Sequence, residues 1–220
     1  MSADPDIIGL MSFVRSKKRV ADHGEVFTPR WLVEDMLNLV QSETERIDSR
    51  FLEPACGSGN FLLPVLERKL ETVQIKFGKS TFEKEHHALF GLMCIYGIEL
   101  LGDNAEECRN SLLETFIRFL NADTDKPVIK AAANVLRHNI IQGDAIKMLS
   151  SSNQPIVIPE WSYAGKGLYH RSDFLYNTLT QRSSIQGTLF EQFEETEIFT
   201  PMKTYPTMTL KKIAELGSIN

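Results

Sequence analysis

The chain has 220 residues and carries 24 lysines and arginines against 29 aspartates and glutamates, a formal charge of −5. That length allows one sizeable core, read as one domain with a tail, while the acidic balance argues against unaided grip on duplex DNA, which needs a basic face to displace counterions. No charged-then-apolar leader and no apolar run near the roughly 20 residues of a membrane span is visible, and the scattered Cys56, Cys94 and Cys108 lack metal-site or disulfide spacing, so the expected setting is the cytoplasm without membrane, zinc or disulfide.

Residues 1–23 read as an N-terminal arm whose basic run, Arg15-Ser16-Lys17-Lys18-Arg19, is expected to be solvated rather than bound to phosphates. The first helix is expected after Thr28 as cap and Pro29 in the first turn, with Trp31, Leu32, Val33, Met36, Leu37 and Val40 forming one buried face. A short strand at Phe51-Leu52 leads through a glycine turn into a long helix over 60–77, ended by Gly78. Helices follow over 81–90, with His86 and His87 on its surface, and over 103–120, with Leu112, Leu113, Phe116, Ile117 and Leu120 inward. Between them 93–99 reads as a buried strand; 127–136 is a further helix, 139–141 a third strand and 155–158 a fourth. Alternating strands and helices predict a doubly wound, largely parallel α/β sheet with its ligand beyond the carboxyl ends of the strands. After Trp161 no further buried strand is evident; 171–179 is read as a helix, and 164–220 as an extension of a domain spanning 24–163.

Four stretches carry the chemistry. Phe51-Leu52-Glu53-Pro54-Ala55-Cys56-Gly57-Ser58-Gly59-Asn60-Phe61 reads as strand, tight turn and helix entry, which brings bare backbone N–H groups against a ligand. Glu99 ends the apolar strand Ile95-Tyr96-Gly97-Ile98 and can accept hydrogen bonds from two hydroxyls, or be an ordinary loop carboxylate. Asn139-Ile140-Ile141-Gln142-Gly143-Asp144-Ala145 ends in a polar turn, and Gly24-Glu25-Val26-Phe27-Thr28-Pro29 lies upstream. In this order the four stretches resemble the S-adenosylmethionine (SAM) half of the N6-adenine DNA methyltransferases of restriction-modification systems, over about residues 24–147.

The resemblance implies a Rossmann-like SAM-dependent methyltransferase fold preceded by an N-terminal helical segment. It implies a cofactor pocket in which Phe27, Thr28 and Pro29 fold over the methionine moiety, and Glu53, Pro54, Ala55, Cys56, Gly57, Gly59 and Asn60 form the turn. Glu99 would hold the ribose, Leu100 would lie against the adenine, and Asp144 with Ala145 would face its amino group. Phe27 and Glu53 are the candidates to sit near the sulfonium cation, and Phe61 reads as packing.

The resemblance breaks at the catalytic turn. Transfer to an exocyclic amino group needs a flipped adenine stacked on an aromatic ring and hydrogen-bonded by a rigid Asn/Asp-Pro-Pro-Tyr/Phe turn, and no such tetrapeptide occurs. The nearest sequences are Asn153-Gln154-Pro155-Ile156 and Ile158-Pro159-Glu160-Trp161, making Asn153, Glu160 and Trp161 weak catalytic candidates, with Trp161 and Tyr163 otherwise core or interface aromatics. A four-stranded sheet would be truncated for this family and leave an apolar edge for the tail or a partner to cover. Three readings follow: a methyltransferase subunit in a hetero- or homo-oligomer whose partner supplies DNA recognition and catalytic parts; a non-catalytic SAM-binding sensor or scaffold; or a Rossmann-like domain for another nucleotide. An NAD site would show a third glycine and a nearer acidic residue than Glu99. Gln186-Gly187-Thr188-Leu189-Phe190 is also similar to the short peptides that bind sliding clamps.

Overall fold

The computed structural model describes Arg19, Ala21 and residues 28–185 and 200–216. Helices α1 (Arg30–Asn38) and α2 (Gln41–Thr44) precede β1 (Phe51–Glu53), α3 (Leu62–Phe77), α4 (Thr81–Met93), β2 (Ile95–Glu99), α5 (Gly102–Leu120), α6 (Pro127–Asn139), β3 (Ile140–Asp144) and β4 (Leu149–Ser150). Strands β1, β2 and β3 run parallel in that spatial order, and β4 turns back antiparallel on β3. The result is a mixed α/β fold with a parallel-containing sheet, compatible with a methyltransferase. All five residues of β2 are buried, as a strand flanked on both sides requires.

A second sheet holds β5 (Val157–Gly165), β6 (Leu168–Leu175), β7 (Lys203–Thr204) and β8 (Met208–Thr209), all antiparallel, with α7 (Tyr176–Ile185) and α8 (Leu210–Glu215). This corrects two expectations. The stretch at 155–158 does not extend the parallel sheet; it opens the β5–β6 hairpin. A strand parallel to β3 needs a crossover of about a dozen residues or more, and the connection from β3 to this stretch, residues 145–154, is shorter and is taken up by β4. The region read as a helix over 171–179 is strand to Leu175 and helix only from Tyr176. Its inward positions are Tyr169, Arg171 and Asp173, so a buried ion pair replaces the apolar residues by which a strand is recognised. Arg171 Nε lies 2.6 Å from Asp173 Oδ1, and its guanidinium stacks over the Trp161 and Tyr205 rings.

The expected boundary after Tyr163 also falls inside this hairpin, and Trp161, Tyr169, Met208 and Ile213 join one core with Leu92, Ile95 and Val135. Asn134 on α6 donates to the Ile213 and Ala214 carbonyls, tying α8 to the first sheet's helices.

Two side chains fix the entrances to the parallel strands. Lys69 of α3 is fully buried and donates to the Arg46, Ile47 and Ser49 carbonyls of the loop before β1. Asn139, at the end of α6, donates to Met93 O and Ile95 O at the start of β2 and accepts from Trp161 Nε1 at 3.0 Å.

Helix α1 departs from expectation. Pro29 itself occupies the cap position, Thr28 makes no capping bond, and only Val33 and Leu37 are buried. Trp31 is 65% exposed and Met36 45%. Arg68 of α3 holds the helix by charge, donating to Glu34 and Asn38, so burial of the whole apolar face is not what attaches it. His86 is not on the surface either: it is 7% exposed, with Nδ1 2.7 Å from Tyr169 Oη.

Candidate functional site

The turn after β1 is shaped by two residues in the left-handed region, Gly57 at φ +53° and Gly59 at φ +97°. A side chain on Gly59 would meet Cys108 Sγ of α5 at 3.0 Å, so α5 packs directly under the turn. A side chain on Gly57 would meet nothing within 4 Å: this face of the turn opens outward. Gly97, in the middle of β2, is needed for the same packing, because a β-carbon there would lie 2.7 Å from Cys56 Sγ. The Cys56 thiol is pushed well above its ordinary pKa by its hydrogen bond with Cys108 and by burial, so it packs as an inert thiol.

Glu99 joins the parts. Its Oε2 accepts from Gly57 N at 2.8 Å and its Oε1 from Leu101 N at 2.9 Å, so one carboxylate at the end of β2 clamps the glycine turn and the entry to α5. Each oxygen keeps a lone pair for a further donor. Leu100 beside it is 53% exposed. At the end of β3, Asp144 Oδ1 accepts from Ile146 N and Lys147 N, and Oδ2 lies 3.3 Å from Lys147 Nζ. The Lys147 N–H is the chief reason its carboxyl lies below the usual range. Asp144 therefore shapes its own turn, and Ile146 is left 92% exposed.

The remaining expected pocket residues divide. Glu53, Gly57 and Asn60 are half-buried, Pro54 and Ala55 exposed and Cys56 buried around the turn; Ala145 is half-buried beside Asp144. Thr28 is exposed and Pro29 half-buried at the start of α1, and Phe27 lies outside the described residues. Of the basic run only Arg19 is described; it is not solvated but paired with Asp103 at 2.6 Å, at the start of α5. The sliding-clamp-like stretch at 186–190 lies outside the described residues.

The three catalytic candidates do not converge. Trp161 is fully buried and bonded to Asn139 at the amino end of β2 and β3, whereas Glu99 lies at the other end of β2, about 13 Å of strand away. Glu160 is paired with Arg50 at 2.7 Å, and Asn153 sits in an exposed turn at φ +59°. The ring of Trp161 thus packs the core and offers no face to a base. What pattern reading missed is Gly97 and Cys108, which seat the turn. A glycine inside an otherwise apolar strand was the available signal, because it marks close backbone approach.

The carboxyl ends of the parallel strands thus carry a glycine turn clamped by an acidic side chain, at the end of the sheet where open α/β folds bind ligands. The chain belongs to the N-6 DNA methylase family, whose model matches residues 10–138 and so includes the glycine turn and Glu99. That places it among DNA methyltransferases, which in this family generally use SAM. Comparison with curated proteins and with solved structures found no match. Among the described residues no helix is long and apolar enough to cross a membrane.

Replacing Glu99 with alanine removes the clamp and its two free lone pairs. SAM affinity is expected to fall by about 1.5–3 kcal/mol, the range for hydrogen bonds to a charged group. Calorimetry reads this directly, and unchanged affinity in a folded variant would place the cofactor elsewhere.

Proposed function

We propose that the chain is a SAM-dependent DNA adenine-N6 methyltransferase subunit of a restriction-modification or related defence system, in which a partner chain completes catalysis and target recognition. The observation that carries this reading is the Glu99 clamp on Gly57 within the family-matched region. In the proposal β1, β2 and β3 are one half of a Rossmann-like, doubly wound sheet that the partner completes. Gly57 leaves room for the ligand, Glu99 directs its two free lone pairs at ribose hydroxyls, and exposed Leu100 and Ile146 offer apolar cover for an adenine ring. SAM, when bound, supplies an electrophilic methyl group. The chain's own residues orient the ribose and exclude water from one side of the base.

The need for a partner is supported by β1. It is the terminal strand of its sheet, and Leu52 on it is 42% exposed. A cavity of about 250 Å³ separates β1 from the second sheet, lined by Leu52, Tyr96, Ile158 and Phe174. The buried Tyr96 hydroxyl lies against the Trp161 backbone yet completes no hydrogen bond among the described residues. Open strand edges are usually covered, and an added strand here would start beside Glu53 and the glycine turn.

A non-catalytic SAM-binding module is the second reading, favoured by the burial of Trp161 and the dispersal of Asn153 and Glu160. The purified chain is expected to bind SAM but to transfer no tritiated methyl group to unmodified DNA. Transfer should appear when a polypeptide encoded beside it is added. Transfer by the chain alone would sink the partner requirement, and none with any neighbouring product would favour the sensor.

A further inference from the structure

A second cavity, of about 440 Å³, lies between the start of α4, the start of α6, the β5–β6 turn and the start of α8. Lys126, Lys166 and Lys211 reach it from three separate segments of a protein whose net charge is −5. Their one carboxylate neighbour in the lining is Glu85, 3.9 Å from Lys126. The cavity also receives the amino end of α6, a helix of 13 residues with no side-chain cap, no acidic residue in its first turn and a lysine at the cap position. Cations gathered at the positive end of a helix repel one another and the helix dipole, the reverse of the usual arrangement. A bound anion offsets that repulsion.

The second observation is His86, 7% exposed and part of the wall. Tyr169 Oη lies 2.7 Å from His86 Nδ1 and 3.2 Å from the His86 carbonyl oxygen, so the phenol engages the Nδ1 side of the ring. Nε2 is then the ring's remaining polar atom for a ligand on the cavity side. Burial holds the imidazole pKa low and keeps it neutral. Nε2 has no partner among the described residues and lies beside Gly167, where a β-carbon would approach it to 3.1 Å. An anion that satisfies both features brings negative oxygens to the lysines and a hydrogen-bonding oxygen to Nε2. A phosphate group, with several oxygens on one tetrahedral centre, does so.

We propose that this cleft binds a phosphate monoester. The space beyond the lysines is walled by Phe82, 49% exposed, and suits an ester with a flat apolar body such as a nucleoside monophosphate. The site is separate from the Glu99 clamp: it draws on neither the glycine turn nor the strand ends.

Calorimetry on the full chain tests this with uridine monophosphate, inorganic phosphate, uridine and sulfate. Uracil is chosen because an adenine could enter the Glu99 site. Uridine monophosphate is expected to bind, with inorganic phosphate and sulfate, which lack the flat body, and uridine, which lacks the charge, each at least tenfold weaker. The double variant Lys126→Ala/Lys211→Ala should weaken it at least tenfold, and Glu99→Ala should leave it unchanged. Both lysines are exposed, so the double variant is expected to melt as the parent does; Lys166→Ala provides an independent second variant. Inorganic phosphate or sulfate binding as tightly as the nucleotide would show that no ester body is read and would overturn the proposal. Absence of binding by both phosphates, equal binding of uridine or sulfate, or indifference to the lysine variants would overturn the proposal.

Discussion

Replacing Asn139 with leucine is expected to destabilise the fold by about 4 kcal/mol, because it strips partners from three buried groups at once, each worth about 1–3 kcal/mol when left unsatisfied. Those groups are Met93 O, Ile95 O and Trp161 Nε1. The amide joins the entry to β2 with the second sheet through Trp161, so its loss should also loosen the hairpin. Denaturant unfolding measures the effect. Trp161→Phe loses a single bond, leaves only Asn139 Oδ1 unpaired and should cost about 1–2 kcal/mol. The double variant should cost less than the sum of the two, since they share one interaction. SAM affinity in Trp161→Phe should not change, because the indole lies at the amino end of the strands. A large loss of affinity with the fold intact would mean that this end communicates with the cofactor turn.

Lys69→Met should cost about 3 kcal/mol, from three carbonyls left without a donor at the entrance to β1. Burial brings the Lys69 pKa from the ordinary 10.5 down to about 8, against the pull of the three carbonyls toward the ammonium. The sign of the pH effect follows. Below about pH 8 both folded and unfolded chains hold the proton, and the cost of the buried charge is constant. Between about 8 and 10.5 the unfolded chain still holds a proton that the folded chain has released, so stability should rise with pH across that window. Lys69→Met should flatten this rise. A parent protein whose stability shows no Lys69-dependent rise above pH 8 would mean that the carbonyls keep the ammonium charged.

The sequence was enough to locate the parallel half of the molecule. Strand β1, the glycine turn, strand β2 ending at Glu99, helices α3, α5 and α6 and strand β3 all lie where apolar periodicity and turn residues place them. The reason is that each is a continuous segment whose buried face consists of apolar side chains, so local pattern and tertiary environment agree. The glycine turn was legible for the same reason: left-handed backbone and close packing both demand glycine, and Gly57 and Gly59 meet those demands within one short loop.

The second sheet was decided only in three dimensions. Strand β6 buries Arg171 and Asp173, which look like surface residues until each is seen to be the other's partner, with Trp161 and Tyr205 stacked on the guanidinium. His86 reads as a surface residue on an exposed helix until Tyr169, 83 positions away in sequence, closes over it. Helix α1 errs in the opposite direction: its sequence carries an apolar face, yet Arg68 holds it by charge and leaves Trp31 in solvent. In each case the outcome depends on groups from other segments, Trp161 and Tyr205, Tyr169 or Arg68, and no local period records it. The same holds for the clamp itself, because the acidity of Glu99 is written at one position, but its bonds to Gly57 and Leu101 exist only once β2 lies beside β1 and α5 turns away from it.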